Sequence, residues 1–325
     1  MEIRKISFKN SKETWNSLYN SNGSISPYMS YEFQRIYKQN LWAGEKRLGA
    51  KYEVYMAIDD QKELCVIPMI KKGIYYYIAG DLCATGALDF IYDSNLCVEY
   101  MLAILNELRK TLNGKIILNK IPEETVLGHA LLLSDYKKET CVSIKFPSDY
   151  EDYFKSLSKS VRQNIRTAKN RMNRENKKYE FSVRMGGIER DTNKEIMLLY
   201  NQRSAERQNR KIHPIIRFVR ENFNPITKCS LELDNAFLSM IFIDDVLAGF
   251  MSGFLTSDGK KCIVPRLAIN SNYGVYCPGS LLISDTIDYF IQETDVRILD
   301  LSRGDEKYKY SMGGEEHYNL TVLLE

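Results

Sequence analysis

Apolar and polar positions fall into two blocks that repeat one order of elements. In the first, 54–58 alternates with period two and reads as a strand. The polar turn Asp59-Asp60-Gln61-Lys62 leads to a second strand at 64–70, and Lys71-Lys72-Gly73 to a third at 74–79. A helix over about 96–112 comes next, with Met101, Leu102, Leu105 and Leu108 on one face. Asn113-Gly114 predicts a left-handed C-cap, and 115–118 a closing strand. The second block has strands at 236–243, 246–255 and 261–269, with Asp244-Asp245 as a two-residue turn and Ser257-Asp258-Gly259 as a hairpin signal. Pro278-Gly279-Ser280 opens a helix to about 292, and 296–301 is the last strand.

Both blocks read strand-strand-strand-helix-strand. The predicted class is α+β with mixed sheets: an antiparallel meander, then a crossover helix to a parallel strand. Ligands in such sheets bind where parallel neighbours diverge and a helix start faces the gap. That points to 265–269, to Gly279 and to the residues just after Leu301. The break between blocks falls near Lys145-Phe146-Pro147-Ser148, which predicts domains 1–146 and 147–325.

Composition narrows the class. Hydrophobic residues are 44% and charged residues 27%, which suits a globular chain and not disorder. A net charge of +3 compels no general nucleic-acid or membrane-surface role. The N-terminal stretch lacks the apolar core of a signal peptide, and apolar runs such as 236–243 are far short of a membrane span. The expectation is a soluble, cytoplasmic protein. Seven cysteines include no Cys-x-x-Cys pair and the three histidines are scattered, so reduced thiols and no metal site are expected.

Three segments could carry chemistry. Along 154–172, Phe154, Leu157, Val161, Ile165, Ala168 and Met172 step by three and four and form an apolar seam. Arg162, Arg166 and Lys169 form a basic stripe beside it, suited to phosphates or carboxylates, or simply to solvent. The helix start at Gly279, Ser280 and Leu281 offers free backbone N–H groups to a pyrophosphate, or is plain helix initiation. Arg303-Gly304-Asp305-Glu306-Lys307-Tyr308-Lys309 gathers two carboxylates, a phenol and three cations after a buried strand. Acyl transfer to an amine needs a base, an acid for the leaving group and a donor for the oxyanion. All are present here, although a charged surface turn has the same composition.

The helix at 158–172 resembles the one that opens the domain of the CelD-like acetyltransferases, a bacterial family associated with cellulose and other polysaccharide synthesis, in its Leu-x-Lys-x-x-Arg-x-x-Ile/Leu-Arg pattern. Pro278-Gly279-Ser280-Leu281-Leu282 resembles that family's helix start, and Asp300 with Gly304-Asp305-Glu306-Lys307-Tyr308-Lys309 its closing motif. Gly86-Ala87-Leu88-Asp89-Phe90-Ile91 is a looser echo of its N-terminal region. Fem-type peptidoglycan aminoacyltransferases resemble the layout too, including Tyr308-Lys309 before Gly313-Gly314. The usual Arg/Gln-x-x-Gly-x-Gly/Ala signature of the GNAT superfamily is missing. Arg266 and Met312-Gly313 stand where the CelD-like group commonly has aromatics.

The resemblance implies a tandem GNAT-like fold and an N-acyltransferase that uses acyl-CoA and no metal. The acceptor would be an amine on an amino sugar or on a polysaccharide or cell-envelope precursor. Asp305 or Glu306 would act as base and Tyr308 as acid; Lys309 would hold the oxyanion or an acceptor phosphate. Arg266, Leu267, Ala268, Gly279, Ser280 and Leu281 would hold the acyl-CoA, and Arg162, Arg166, Tyr200, Arg203 and Arg303 the substrate. The alternatives are aminoacyl transfer from tRNA, the only case in which nucleic acid is a partner, and a non-catalytic binding module of the same fold.

Overall fold

A computed structural model describes residues 1–43, 49–81, 86–209 and 212–325. The chain divides into two compact units: Met1–Cys141 with Thr256–Asp258 and His317–Glu325, and Val142–Leu255 with Gly259–Glu316.

The first unit runs β1 (Glu2–Ile6), α1 (Lys12–Ser21), α2 (Tyr31–Gln39), β2 (Lys51–Asp59), β3 (Lys62–Lys72), β4 (Tyr75–Ile78), β5 (Ile91–Tyr92), α3 (Val98–Thr111), β6 (Lys115–Pro122), α4 (Val126–Leu131) and most of β7 (Tyr136–Lys145). The chain's last strand, β13 (Gly314–Leu324), returns to it along β6. Strand order is β1-β2-β3-β4-β6-β13. Neighbours from β1 to β4 are antiparallel, and β4 and β6 are parallel. The meander and parallel crossover predicted from the pattern are therefore present.

The predicted C-cap of α3 is not. Leu112 leaves the helix in extended backbone, φ −90° and ψ 113°, and no left-handed residue comes after it. Gly114 is needed for closeness instead. A Cβ there would stand 2.2 Å from the Ile74 carbonyl oxygen, which accepts the Lys115 N–H at 2.8 Å.

The second unit runs α5 (Tyr150–Ser156), α6 (Lys159–Arg174), β8 (Tyr179–Met185), α7 (Arg190–Gln208), α8 (Pro214–Asn222), α9 (Pro225–Glu232), β9 (Ala236–Ile243), β10 (Val246–Leu255), β11 (Lys261–Ile269), α10 (Pro278–Glu293), β12 (Ile298–Arg303) and α11 (Lys307–Ser311). Strand order is β7-β12-β11-β10-β9-β8, antiparallel from β8 to β11 and parallel between β11 and β12. Both predicted Asp turns are two-residue loops with positive φ at both positions, Asp60-Gln61 and Asp244-Asp245. That handedness matches the twist of the strands they join.

Each face of this second sheet has its own core. Ile165, Ala168 and Met172 of α6 pack with Leu281, Leu282, Ile287 and Phe290 of α10. Ile196, Met197 and Leu199 of α7 pack on the other face with Leu238, Phe250 and Ala268. The predicted apolar seam is shared by two helices. Leu157 is extended (ψ 151°), and the Ser158 hydroxyl accepts the Val161 N–H to start α6 afresh. No helix among the described residues is long and apolar enough to cross a membrane.

Candidate active site

The parallel ladder between β11 and β12 covers three rungs, from Lys261 opposite Ile298 to Ile263 opposite Asp300. Beyond it the strands part. The Ser302 hydroxyl still reaches the Val264 carbonyl at 2.9 Å, and Asp300 accepts the Ser302 N–H at 2.8 Å. These bonds hold Ser302 in left-handed backbone, φ 57°. Asp300 is itself buried and paired with Lys261 at 3.0 Å. The chain is thus turned away from β11 at the point the sequence picks out.

Past Ser302 the chain forms a loop wound around one ammonium group. Lys309 is 2% exposed. Its Nζ donates to the carbonyls of Ser302, Arg303 and Gly304 at 3.1, 2.8 and 3.0 Å, and lies 3.0 Å from Glu306 Oε2. Gly304 has φ 104°, and a Cβ on it would meet Glu306 Oε2 at 2.6 Å, so glycine permits both the turn and the approach of the carboxylate. Burial raises the Glu306 pKa, but the hydrogen bond and charge of Lys309 outweigh it and leave the group below the ordinary glutamate range. Burial, then the Glu306 charge, pushes the Tyr308 phenol up to about 12. At neutral pH the loop therefore offers a carboxylate and a protonated phenol two residues apart.

Two more segments belong to the same neighbourhood. The positive charge of Arg207, in the last turn of α7, acts on both Glu306 and Tyr308. Glu206 beside it binds Arg203 Nη1 at 2.7 Å and the Ser271 hydroxyl at 3.3 Å, tying α7 to the 3₁₀ turn Ser271–Tyr276 that precedes α10. On α7, Asn201 Oδ1 and Arg203 Nε are buried without a hydrogen-bond partner among the described residues. Such orphaned polar atoms cost free energy unless something else satisfies them.

The predicted residues divide into groups. Glu306, Tyr308, Arg203 and Tyr200 lie along this edge, and Asp305 and Arg303 are exposed on the loop. Arg266 is buried beneath α7. Its guanidinium donates to Asn224 Oδ1 at 3.0 Å and sits 5.6 Å over the Tyr200 ring. Ala268 shares that face, whereas Leu267 packs on the opposite one with α10. The residues grouped for acyl-CoA are thus split between two faces.

At the start of α10, Ser280 and Leu281 N–H both turn back to the Cys277 carbonyl, at 3.1 and 3.2 Å. Pro278 has no N–H, and a Cβ on Gly279 would meet nothing closer than Ile269 Cγ2 at 3.7 Å. The basic stripe of α6 is engaged locally. Arg162 donates to the Lys155 carbonyl at 2.9 Å, Arg166 stacks on Phe154 at 5.3 Å, and Lys169 pairs with Asp285 at 3.1 Å. Arg171, which the periodicity does not single out, reaches the Val275 carbonyl at 3.1 Å, three residues before Pro278. That contact places an α6 cation near the helix start. Arg207 had a legible signal, since it stands seven residues after Tyr200 and four after Arg203. His213 is the N-cap of α8, its Nδ1 accepting the Ile215 N–H at 3.3 Å.

The first unit repeats the parted strands. Its parallel ladder also has three rungs, Tyr75 to Tyr77 against Lys115 to Ile117, and Lys120 beyond it is left-handed, φ 62°. A cavity of about 730 Å³ opens there, lined among the described residues by Tyr37, Ile70, Tyr75, Tyr77, Asp81 and Asn119.

Residues 159–310 match the family model described as an acetyltransferase (GNAT) domain. The protein is a transferase. Among solved structures the fold is similar to FemX, with TM-score 0.62 and 12% identity over 100% of this chain and 98% of that one. It is similar to a tandem GNAT protein from the clavulanic acid biosynthesis pathway, with TM-score 0.52 and 10% identity over 99% and 98%. A putative lysylphosphatidylglycerol synthetase C-terminal domain from Agrobacterium fabrum gives TM-score 0.53 and 10% identity over 98% and 92%. At these identities the likeness is one of fold, a tandem GNAT fold as the repeated blocks imply. No curated protein matches the chain in sequence.

Proposed function

We propose that the second unit transfers an acyl group from acyl-CoA to a primary amine. The observation that carries this reading is the pairing of an ionised Glu306, fixed by Lys309, with a protonated Tyr308 where β11 and β12 part. The amine nitrogen would attack the thioester carbonyl, forming the C–N bond and expelling the thiolate. Glu306, or Asp305 beside it, takes the proton lost by the nitrogen. Tyr308 returns one to sulfur. Acyl-CoA supplies the activated carbonyl; Gly279 N–H and Arg171 near the start of α10 are the groups to hold its phosphates.

The acceptor side is the α7 edge, where Asn201 Oδ1 and Arg203 Nε lack partners among the described residues and Arg207 adds positive charge. These groups suit an amine carried on a polar, anionic molecule. An amino sugar or cell-envelope precursor fits that chemistry, and the CelD-like motifs at 158–172, 278–282 and 300–309 favour it. The reaction would run in the cytoplasm, where acyl-CoA is made.

Calorimetric titration with CoA and several acyl-CoAs, paired with thiol release in the presence of amino-sugar nucleotides, tests this. Binding of an acyl-CoA and acceptor-dependent thiol release are expected. Binding of no CoA species would overturn the reading. If association with aminoacyl-tRNA, weakened by salt, appeared instead, the donor would be aminoacyl-tRNA.

A further inference from the structure

The helix α8 is built inside out. Arg217, Arg220 and Glu221 share one side at spacings of three and four, and Ile215, Phe218, Val219 and Asn222 share the other. In a surface helix the apolar side normally faces the core. Here Glu221 turns inward instead: it accepts from the buried Asn201 of α7 at 2.9 Å and from Arg217 at 2.8 Å, and the Arg220 backbone carbonyl accepts the Thr227 hydroxyl at 2.9 Å. The apolar side faces outward. Ile215 is 67% exposed, Phe218 57% and Ile216 47%, and no residue of α8 is buried. Three large apolar side chains within four residues are held in water by a helix whose fold-stabilising contacts are polar. Phe218 and Phe223, 5.9 Å apart edge to face, extend the patch.

Charge decides what covers this face. From 207 to 220 the sequence carries Arg207, Arg210, Lys211, Arg217 and Arg220 and no acidic residue. Pairing with a second copy would set this basic run against itself. An anionic surface complements it, and apolar side chains rimmed by arginine are what a helix needs to lie at the boundary between headgroups and acyl chains. We propose that α8 docks the protein on an anionic lipid bilayer, with Ile215, Ile216 and Phe218 inserted and Arg217 and Arg220 at the phosphates.

The Asn201–Glu221 hydrogen bond joins α8 to the helix that bears Tyr200, Arg203 and Arg207. Docking would therefore bring the acceptor edge to headgroup level, and the amine would arrive on a membrane-borne carrier. That consequence rests on the proposed acyl transfer; the docking does not.

The test is flotation of the full chain with vesicles of phosphatidylcholine alone and of phosphatidylcholine with one-third phosphatidylglycerol. The protein is expected to float with the anionic vesicles, and at least about tenfold less with the neutral ones. The double variant Ile215→Ser, Phe218→Ser should lose at least about tenfold of that binding and keep its circular dichroism, because both side chains are exposed. Arg220→Gln should weaken it severalfold. Failure to float with anionic vesicles, or equal flotation of the double variant, would overturn the proposal. So would a dimer, seen by light scattering, that dissociates in the double variant. Loss of vesicle binding in the double variant with CoA binding intact would confirm docking; a wild type that binds CoA but no vesicles would leave acyl transfer standing without it.

Discussion

Lys309 Nζ and Glu306 Oε2 lie 3.0 Å apart, and the same ammonium holds three successive carbonyls of the loop that leads to Glu306. One buried cation therefore sets both the path of the backbone and the ionisation of the carboxylate. The ammonium has three protons, and the loop and Glu306 already take them. In the proposed reaction Lys309 would act through Glu306, as a positioning group, and would not itself hold the oxyanion or an acceptor phosphate.

Replacing Lys309 should thus cost stability first. Lys309→Met leaves three carbonyls without a donor and is expected to destabilise the protein by about 3 kcal/mol. Lys309→Arg should not restore it, because a planar fork cannot meet carbonyls arrayed around a point. Urea unfolding of the three proteins checks this. Unchanged stability in Lys309→Met would refute the clamp.

If Glu306 and Tyr308 are base and acid as proposed, the pH dependence of the reaction follows from their two shifts. Glu306 lies below the ordinary glutamate range, so the carboxylate is lost only as pH falls beneath it. Tyr308, at about 12, stays protonated up to strongly alkaline pH. Neither group should produce a limb in kcat/KM near pH 7, and a limb found there belongs to the acceptor amine. Tyr308→Phe should lower kcat about 100-fold, within the range of a lost general acid. A profile of rate against pH for wild type and variant reads both.

Close packing beside the site gives a third expectation. Gly253 faces the irregular register between β10 and β11, and a Cβ there would stand 2.4 Å from the Ile263 carbonyl oxygen. Gly253→Ala must push β11 outward at the last rung of the ladder. A loss of about 2 kcal/mol is expected, with a fall in activity. Thermal melting and thiol release test it, and an unaltered melting temperature would count against the tight approach.

In the first unit, burial raises the carboxyl of Asp89 to about 7, against hydrogen bonds from Tyr92 OH and Phe90 N–H, both at 2.8 Å. Between pH 4 and 7 the folded protein then holds a proton that the unfolded chain has released. Stability should fall as pH rises through this window and level off above it, by about 4 kcal/mol at most. Asp89→Asn, which cannot ionise, should flatten the curve. Guanidinium unfolding at a series of pH values would show it.

Much of this fold was legible in sequence because it depends on local regularities. Period-two alternation and turn residues mark the strands and the repeat: the polar turn at Asp59 to Lys62 tightens to Asp60-Gln61, and Asp244-Asp245 forms the two-residue turn it suggests. Chain order marks the meander and crossover, hence the tandem fold, and the parting of β11 and β12 just before the charged loop at 303–309. Sequence also shows which charges that loop carries. It does not show which of them are already spent, because a side chain's partners are set by atoms distant in the chain. Only the folded loop turns Lys309 inward onto three carbonyls, while Arg162 and Arg166 are taken up by α5 and Arg171 is delivered to the approach to α10. Gly114 looks like a helix stop and is a close contact with Ile74. Periodicity finds the two sides of α8, but tertiary packing decides how they are turned: the hydrogen bond between Glu221 and the buried Asn201 ties Glu221 in and leaves Ile215 and Phe218 out.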